Sequence, residues 1–195
     1  MDCQKTGALI RSLRLEQGMT QKRLADALRL SDKTVSKWER GLGCPDVSLL
    51  RELSDALHVD IEKILQGELD PNDSNGGNMK RIKFYRCPSC GNLLTATGDA
   101  DVSCCGRKLE PLIPKPCDKA HRLRVETVEE DYYITFDHEM RKEHYLDFAA
   151  CVNDHQMLFT RLYPEQGGEV RFPQIRGGAK LYYGCTQHGL WVADI

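Results

Sequence analysis

The sequence predicts a multidomain α + β protein, with a helical N-terminal third, a small four-cysteine metal knot and then an immunoglobulin-like β-sandwich. Three observations predict it. Apolar residues recur at helical spacing up to residue 67. Four cysteines crowd between residues 87 and 105. From Leu123 onward apolar and polar residues alternate, as they do in strands that bury one face.

Ala8, Leu9, Leu13 and Leu15 predict a first helix that ends by Gly18. Thr20 is an N-cap for a second carrying Leu24, Ala25 and Leu28, and Ser31 caps a third, Asp32 to Arg40, closed by Gly41. Pro45-Asp46 opens a fourth with Val47, Leu49, Leu50 and Leu53. Asp60 caps a fifth from Ile61 to Leu65, closed by Gly67.

The second and third helices, a couple of residues apart, have the dimensions of a helix-turn-helix. The run Ser31-Asp-Lys-Thr-Val-Ser-Lys-Trp-Glu-Arg-Gly41 resembles the recognition helix of Cro/C1-type (Xre) repressors, and Thr20-Gln-Lys-Arg-Leu-Ala25 resembles their second helix. The resemblance implies that Val35 and Trp38 pack inward while Asp32, Lys33, Thr34 and Lys37 face the bases of double-stranded DNA. It also sets Gln21 at a helix N-terminus, where its amide and the backbone N–H groups can hold a phosphate. Residues 1–67 hold 11 Lys/Arg against 10 Asp/Glu. So even a balance predicts weak non-specific affinity, and hence a homodimer on a symmetric site.

Residues 68–80 are rich in Gly, Asn, Asp and Pro and read as a flexible linker between domain 1–67 and the metal-binding modules. Residues 81–115 form the next module. Cys87-Pro-Ser-Cys90-Gly is a metal knuckle, and Cys104-Cys105-Gly comes after a 13-residue gap. Four thiolates so placed predict a tetrahedral site. Adjacent cysteines depart from the usual pair of CxxC knuckles. The pattern resembles desulforedoxin, which holds one iron on four cysteines. Thiolates alone do not choose between iron and zinc. A structural zinc site is the plainer reading.

Residues 116–195 form the last domain, with about seven short strands expected. Five of the six histidines lie here. Cys185 and His188, three residues apart, can reach one metal from a single turn. His138-Glu-Met-Arg-Lys-Glu-His144-Tyr-Leu falls between two strands, so its imidazoles are not committed to packing. With an upstream His121 and a final Cys-Thr-Gln-His-Gly-Leu-Trp, the order resembles the iron domain of desulfoferrodoxin and neelaredoxin, the superoxide reductases. That resemblance implies His121, His138, His144 and His188 as four imidazoles on one ferrous ion and Cys185 as its axial thiolate. It further implies superoxide as substrate and an external electron donor. His155 has no counterpart and reads as a turn residue. Cys3, Cys44, Cys117 and Cys151 also match nothing and are expected to be free thiols.

One departure bears on activity. The family usually sets Glu-Lys directly before the first ligand histidine, and the lysine attracts the anion and assists protonation. Here the run is Asp118-Lys119-Ala120-His121, so Lys119, the candidate catalytic residue, is displaced by one position. Two functions stay open: a superoxide reductase carrying a DNA-binding domain, or a redox-sensing transcription regulator built on a former enzyme.

Composition sets outer limits. No apolar run approaches the roughly 20 residues of a membrane span. The start, Met-Asp-Cys-Gln-Lys-Thr, lacks the basic and apolar regions of a signal peptide, so a cytoplasmic protein is expected, with its nine cysteines reduced.

Overall fold

The computed structural model describes residues 1–70, 79–118 and 121–195. They divide between two compact units, Met1–Pro71 and Asn72–Ile195. Most of the expected linker, and Lys119, lie outside the described residues. No described helix is long and apolar enough to cross a membrane.

The first unit is built from α1 (Cys3–Glu16), α2 (Gln21–Ala27), α3 (Asp32–Glu39), a 3₁₀ turn (Val47–Leu49), α4 (Leu50–Leu57) and α5 (Ile61–Gln66). The expected caps at Thr20 and Ser31 form: Thr20 Oγ1 accepts from the Arg23 N–H at 3.1 Å and Ser31 Oγ from the Thr34 N–H at 3.2 Å. Asp60 precedes α5 without a side-chain capping bond. One core gathers Leu9, Ile10 and Leu13 with Leu24, Val35, Trp38, Leu53 and Ile64. Three residues expected on the apolar faces are exposed: Ala8, Leu15 at 57% and Val47 at 75%. The helical period gives the buried stripe of α1 to Ile10 and Leu13 instead, and Val47 falls in the 3₁₀ turn ahead of the Leu50, Leu53, Leu57 stripe.

Two features hold α1 against α3. Gly7 has no room for a side chain, since a Cβ there would sit 1.9 Å from the Trp38 carbonyl oxygen. Arg14 forks onto Glu39, Nε to Oε1 at 2.5 Å and Nη2 to Oε2 at 3.0 Å, with both side chains nearly buried. Burial pushes the Glu39 carboxyl up, but Arg14 and Gln21 together hold it below its ordinary value. The expectation of free thiols fails at Cys3 and Cys44, which form a disulfide with Cα atoms 4.9 Å apart. The partners are 41 residues apart and meet only because α1 packs on α3, a pairing that spacing does not reveal.

The second unit begins with a 3₁₀ turn (Met79–Arg81) and two hairpins, β1 (Lys83–Arg86) with β2 (Leu93–Ala96) and β3 (Val102–Cys104) with β4 (Arg107–Leu109). β5 (Pro114–Pro116), β6 (Arg122–Val128), β7 (Asp131–Asp137), β8 (Leu146–Val152), β9 (Met157–Arg161), β10 (Glu169–Pro173), β11 (Lys180–Cys185) and β12 (Gly189–Asp194) come next. They form a three-stranded sheet, β10-β7-β6, and a five-stranded sheet, β5-β12-β11-β8-β9. Ile134, Phe136, Val170 and Phe172 from the first meet Leu146, Ala149, Leu181 and Tyr183 from the second in a shared core.

β8 shows no alternation, because all seven of its residues are buried. Its other face is covered by the segment leading into the cysteine knot. Ile82 and Phe84 pack there on Phe148, Ala150 and Val152, with the Phe84 and Phe148 rings stacked at 5.3 Å. The strand leading into the knot thus shares a core with the sandwich, while Tyr85, Cys87 and Leu109 pack in a separate cluster within the knot.

Candidate metal centres and helix-turn-helix face

The four cysteines of the first cluster come from two tight turns. Cys87 to Gly91 is a knuckle closed by the Gly91 N–H on the Cys87 carbonyl at 2.9 Å. Cys105 and Gly106 are the two-residue loop between β3 and β4, with φ of +52° and +74°. Two positive φ values in a two-residue hairpin are the I′ turn that suits strand twist. The turn brings adjacent cysteines to one point, so all four sulfurs lie within 4.8 Å of one another. Backbone N–H groups of Cys90 and Ser89 pull the Cys87 thiol down to about 6, while the neighbouring sulfurs, Cys90 first, push Cys105 up to about 12. Four thiolates in this space need a cation between them, which is the donor set of a tetrahedral metal.

The second cluster lies at one end of the sandwich. His121 leads into β6, His138 follows β7, His144 precedes β8, and Cys185 and His188 flank the turn from β11 to β12. A register shift against β8 at Gly184/Cys185 re-aims Cys185, and Gly189 at φ +90° carries the chain back into β12. The imidazoles form a closed ring, with centroids 5.1 Å apart for His121–His138, 4.6 Å for His138–His144, 4.7 Å for His144–His188 and 5.0 Å for His121–His188. The Cys185 sulfur lies 3.1 Å from His144 Nε2 and 3.5 Å from His188 Nδ1. A cavity of about 500 Å³ is lined by all four histidines with Phe136, Asp137 and Glu139. Cys185 is buried and takes no part in that lining, so its sulfur stands behind the ring and the cavity in front.

The outer nitrogens of three rings are held by oxygens that can only accept. Asp118 Oδ1 takes His121 Nδ1–H at 2.8 Å and the His121 backbone N–H at 2.9 Å. The Glu139 carbonyl takes His138 Nδ1–H at 2.5 Å, and the Glu139 carboxylate takes His144 Nδ1–H. Each ring therefore turns an Nε2 lone pair inward. His188 is the exception and presents Nδ1, which stands 3.1 Å from His121 Nε2. Desolvation lowers the pKa of the half-buried His138, against the Glu139 carbonyl bond that raises it, and that of the more exposed His188, and the neighbouring imidazoles lower both. His138 Nε2 is buried with no hydrogen-bond partner, an orphan that a metal ion would satisfy.

Asp118, Glu139, Arg86 and Lys115 escape the reading of the sequence. An acidic residue close to a ligand-type histidine is the signal that finds the first two. Arg86, next to Cys87, donates from Nη1 to the Cys185 carbonyl at 2.9 Å and from Nη2 to Asp147 at 2.6 Å, so it ties the strand entering one cluster to the sulfur-bearing residue of the other. Lys115 donates to the His188 carbonyl at 3.0 Å beside the Trp191 ring. His155 lies in an exposed turn, Cys117 is a free exposed thiol and Cys151 a free buried one.

In the helical unit, Asp32, Lys33 and Lys37 project from α3 into solvent. Thr34 is half-buried, its hydroxyl sharing a 2.9 Å hydrogen bond with Ser31. Gln21 differs from expectation: its Nε2 donates to Glu39 at 2.7 Å, which turns the amide toward the buried ion pair.

These features define a helix-turn-helix unit joined to a unit with a four-cysteine knot and a β-sandwich, in which the ligand atoms of His121, His138, Cys185 and His188 lie within 4.8 Å of one another and His144 Nε2 stands against the Cys185 sulfur outside that set. Residues 10–64 match the helix-turn-helix family model. The chain is 26% identical over 123 residues to desulfoferrodoxin of Syntrophotalea carbinolica, an alignment covering 59% of this chain and 98% of that protein. It is 34% identical over 79 residues to the HTH-type transcriptional activator BcrR of Enterococcus faecalis, covering 39% of each. The superoxide reductase of Treponema pallidum superposes with a TM-score of 0.50 at 20% identity, over 57% of this chain and 97% of that one, a likeness of fold. The chain thus carries a helix-turn-helix domain followed by a region similar to desulfoferrodoxin over nearly that protein's whole length.

Proposed function

We propose that the second unit holds iron through Nε2 of His121, His138 and His144, Nδ1 of His188 and Sγ of Cys185, and reduces superoxide to hydrogen peroxide. The observation that carries this reading is the placement of the cavity, lined by the four imidazoles while the one sulfur stands behind them. Bound there, ferrous iron would supply the single electron that superoxide needs, and an anionic Cys185 sulfur would raise its reducing power. The chain's own groups do the rest. Asp118 and Glu139 hold His121 and His144 in the tautomers that leave Nε2 free. Tyr145 and Thr186 exchange hydrogen bonds that pin the Cys185 turn to the His144 loop. Lys119 is proposed to draw the anion in and deliver a proton. The four-cysteine cluster takes iron or zinc, and only iron would let it pass an electron onward.

The helix-turn-helix unit is proposed to bind double-stranded DNA as a homodimer, with Asp32, Lys33, Thr34 and Lys37 toward the bases and the start of α2 at Gln21 toward a phosphate. A sensing role is the second reading, favoured by the fusion itself and by the displaced Lys119. It requires operator affinity to differ between ferrous and ferric protein by ~1 kcal/mol or more.

The test is anaerobic ferrous protein exposed to pulsed superoxide. Peroxide without dioxygen is the expected product, and an iron-loaded protein that does not react sinks the enzymatic reading. Cys185→Ser should remove the thiolate-to-iron absorption of the second site and leave that of Cys87, Cys90, Cys104 and Cys105 in place.

A further inference from the structure

The bond between Cys3 and Cys44 is absorbed by neither function. Cys3 is the first residue of α1, a 14-residue helix, and Cys44 lies in the loop that leaves α3. Both are partly exposed, whereas Cys151 and Cys185 are buried. The disulfide joins the start of α1 to the loop after α3, beside a close approach of the two helices. Gly7 leaves no space beside Trp38, and a Cβ on Gly41 would fall 2.8 Å from Gln4 Cγ. Gly41 stops α3 at φ +68°, and the N–H of Leu42 returns to the Lys37 carbonyl at 2.9 Å. Cys44 comes two residues later. The S–S bond therefore anchors the exit of the helix that bears Asp32, Lys33, Thr34 and Lys37 to the start of α1.

We propose that Cys3 and Cys44 form a peroxide-sensitive dithiol whose closure strengthens DNA binding by the same chain. The inference rests on the proposed function for the DNA partner and for a local source of peroxide. The attacking species is the thiolate form of one of the two cysteines. That thiolate attacks one peroxide oxygen, breaks the O–O bond and becomes a sulfenic acid as one water leaves. The second thiol displaces the sulfenic hydroxyl as a second water, so two thiols and one peroxide yield one disulfide and two waters. A dithiol reductant reverses the bond by exchange. Closure removes freedom from the segment beyond α3 in a geometry where the helix-turn-helix is fully formed, so less order remains to be imposed when DNA binds. The peroxide made in one unit would thus set the state of the other.

The experiment uses the full metal-loaded chain and DNA duplexes enriched from a random-sequence pool by that chain. Reduced protein is titrated with hydrogen peroxide, and the Cys3–Cys44 cross-linked peptide is followed by mass. Affinity is measured in both states. The expected result is a cross-link formed by peroxide, reversed by dithiothreitol, and accompanied by a rise in affinity of about tenfold, which is about 1.4 kcal/mol. Cys3→Ser and Cys44→Ser should each bind as the reduced protein does and ignore peroxide. A pair that stays reduced under peroxide overturns the proposal, as does equal affinity in the two states. Loss of all duplex binding in both states instead removes the DNA reading, and the coupling with it, while a superoxide assay on the same sample reports the enzymatic reading separately.

Discussion

Arg86→Met should cost the second unit far more than the loss of one ion pair from a surface. Arg86 Nη2 meets Asp147 Oδ1 at 2.6 Å, with the two side chains 15% and 4% exposed. Removing the guanidinium leaves a carboxylate deep in the sheet without its partner, for which the penalty is about 3–5 kcal/mol. That is a large share of the roughly 5–15 kcal/mol that a domain has in total. Urea unfolding followed by Trp191 fluorescence, in a Trp38→Phe background so that one tryptophan reports, measures the loss. The double variant Arg86→Met/Asp147→Leu should recover most of it, because two apolar groups replace two charges. The pH dependence carries a definite sign. Burial raises the Asp147 pKa even with Arg86 present, so the folded state binds this proton more tightly than the unfolded one. Its contribution therefore favours folding at low pH and is lost as pH rises through the folded value. Without Arg86 the folded pKa rises further, and the deficit of the single variant should shrink on acidification. Additive losses in the double variant, within about 0.5 kcal/mol, or a deficit that grows in acid, would refute the assignment of Arg86 and Asp147 as a buried pair.

Two other outcomes are expected. Gly7→Ala places a methyl 1.9 Å from the Trp38 carbonyl oxygen, and the helices must separate at a cost of about 1–3 kcal/mol; a thermal midpoint of the helical unit equal to or above that of the parent would contradict this contact. Glu139→Ala should weaken iron binding at the second site about 10–100-fold in a competitive chelator titration, with Glu139→Gln keeping most of the affinity, and a full-affinity alanine variant would show that His144 needs no carboxylate to hold its tautomer.

Much of the architecture was legible in the order of residues, for local reasons. Helix starts at Thr20 and Ser31 depend on one side chain meeting an N–H three residues on, and the strands from Arg122 onward follow an alternation that a half-buried sheet requires. The exceptions have tertiary causes. β8 buries both faces because the residues before the cysteine knot pack on it, so its apolar run carries no period. Leu15 turns outward because the buried stripe of α1 runs through Leu9, Ile10 and Leu13, and Val47 because it falls in a 3₁₀ turn ahead of α4.

The sequence by itself determined which atoms are available: a thiol and an imidazole three residues apart at Cys185 and His188, two histidines in one loop, one upstream, and four cysteines on two turns. Only the tertiary structure decided how they face. The Nε2 presentation of His121, His138 and His144 comes from hydrogen-bond acceptors at Asp118 and Glu139, the register shift at Gly184/Cys185 aims the sulfur, and the turn after Cys185 presents Nδ1 of His188. The Cys3–Cys44 bond is of the same kind. Composition supplied two thiols, and the packing of α1 on α3 made them neighbours. Spacing along a chain constrains what one turn or strand can present, whereas contacts between distant segments depend on how whole faces are buried, which no local pattern encodes.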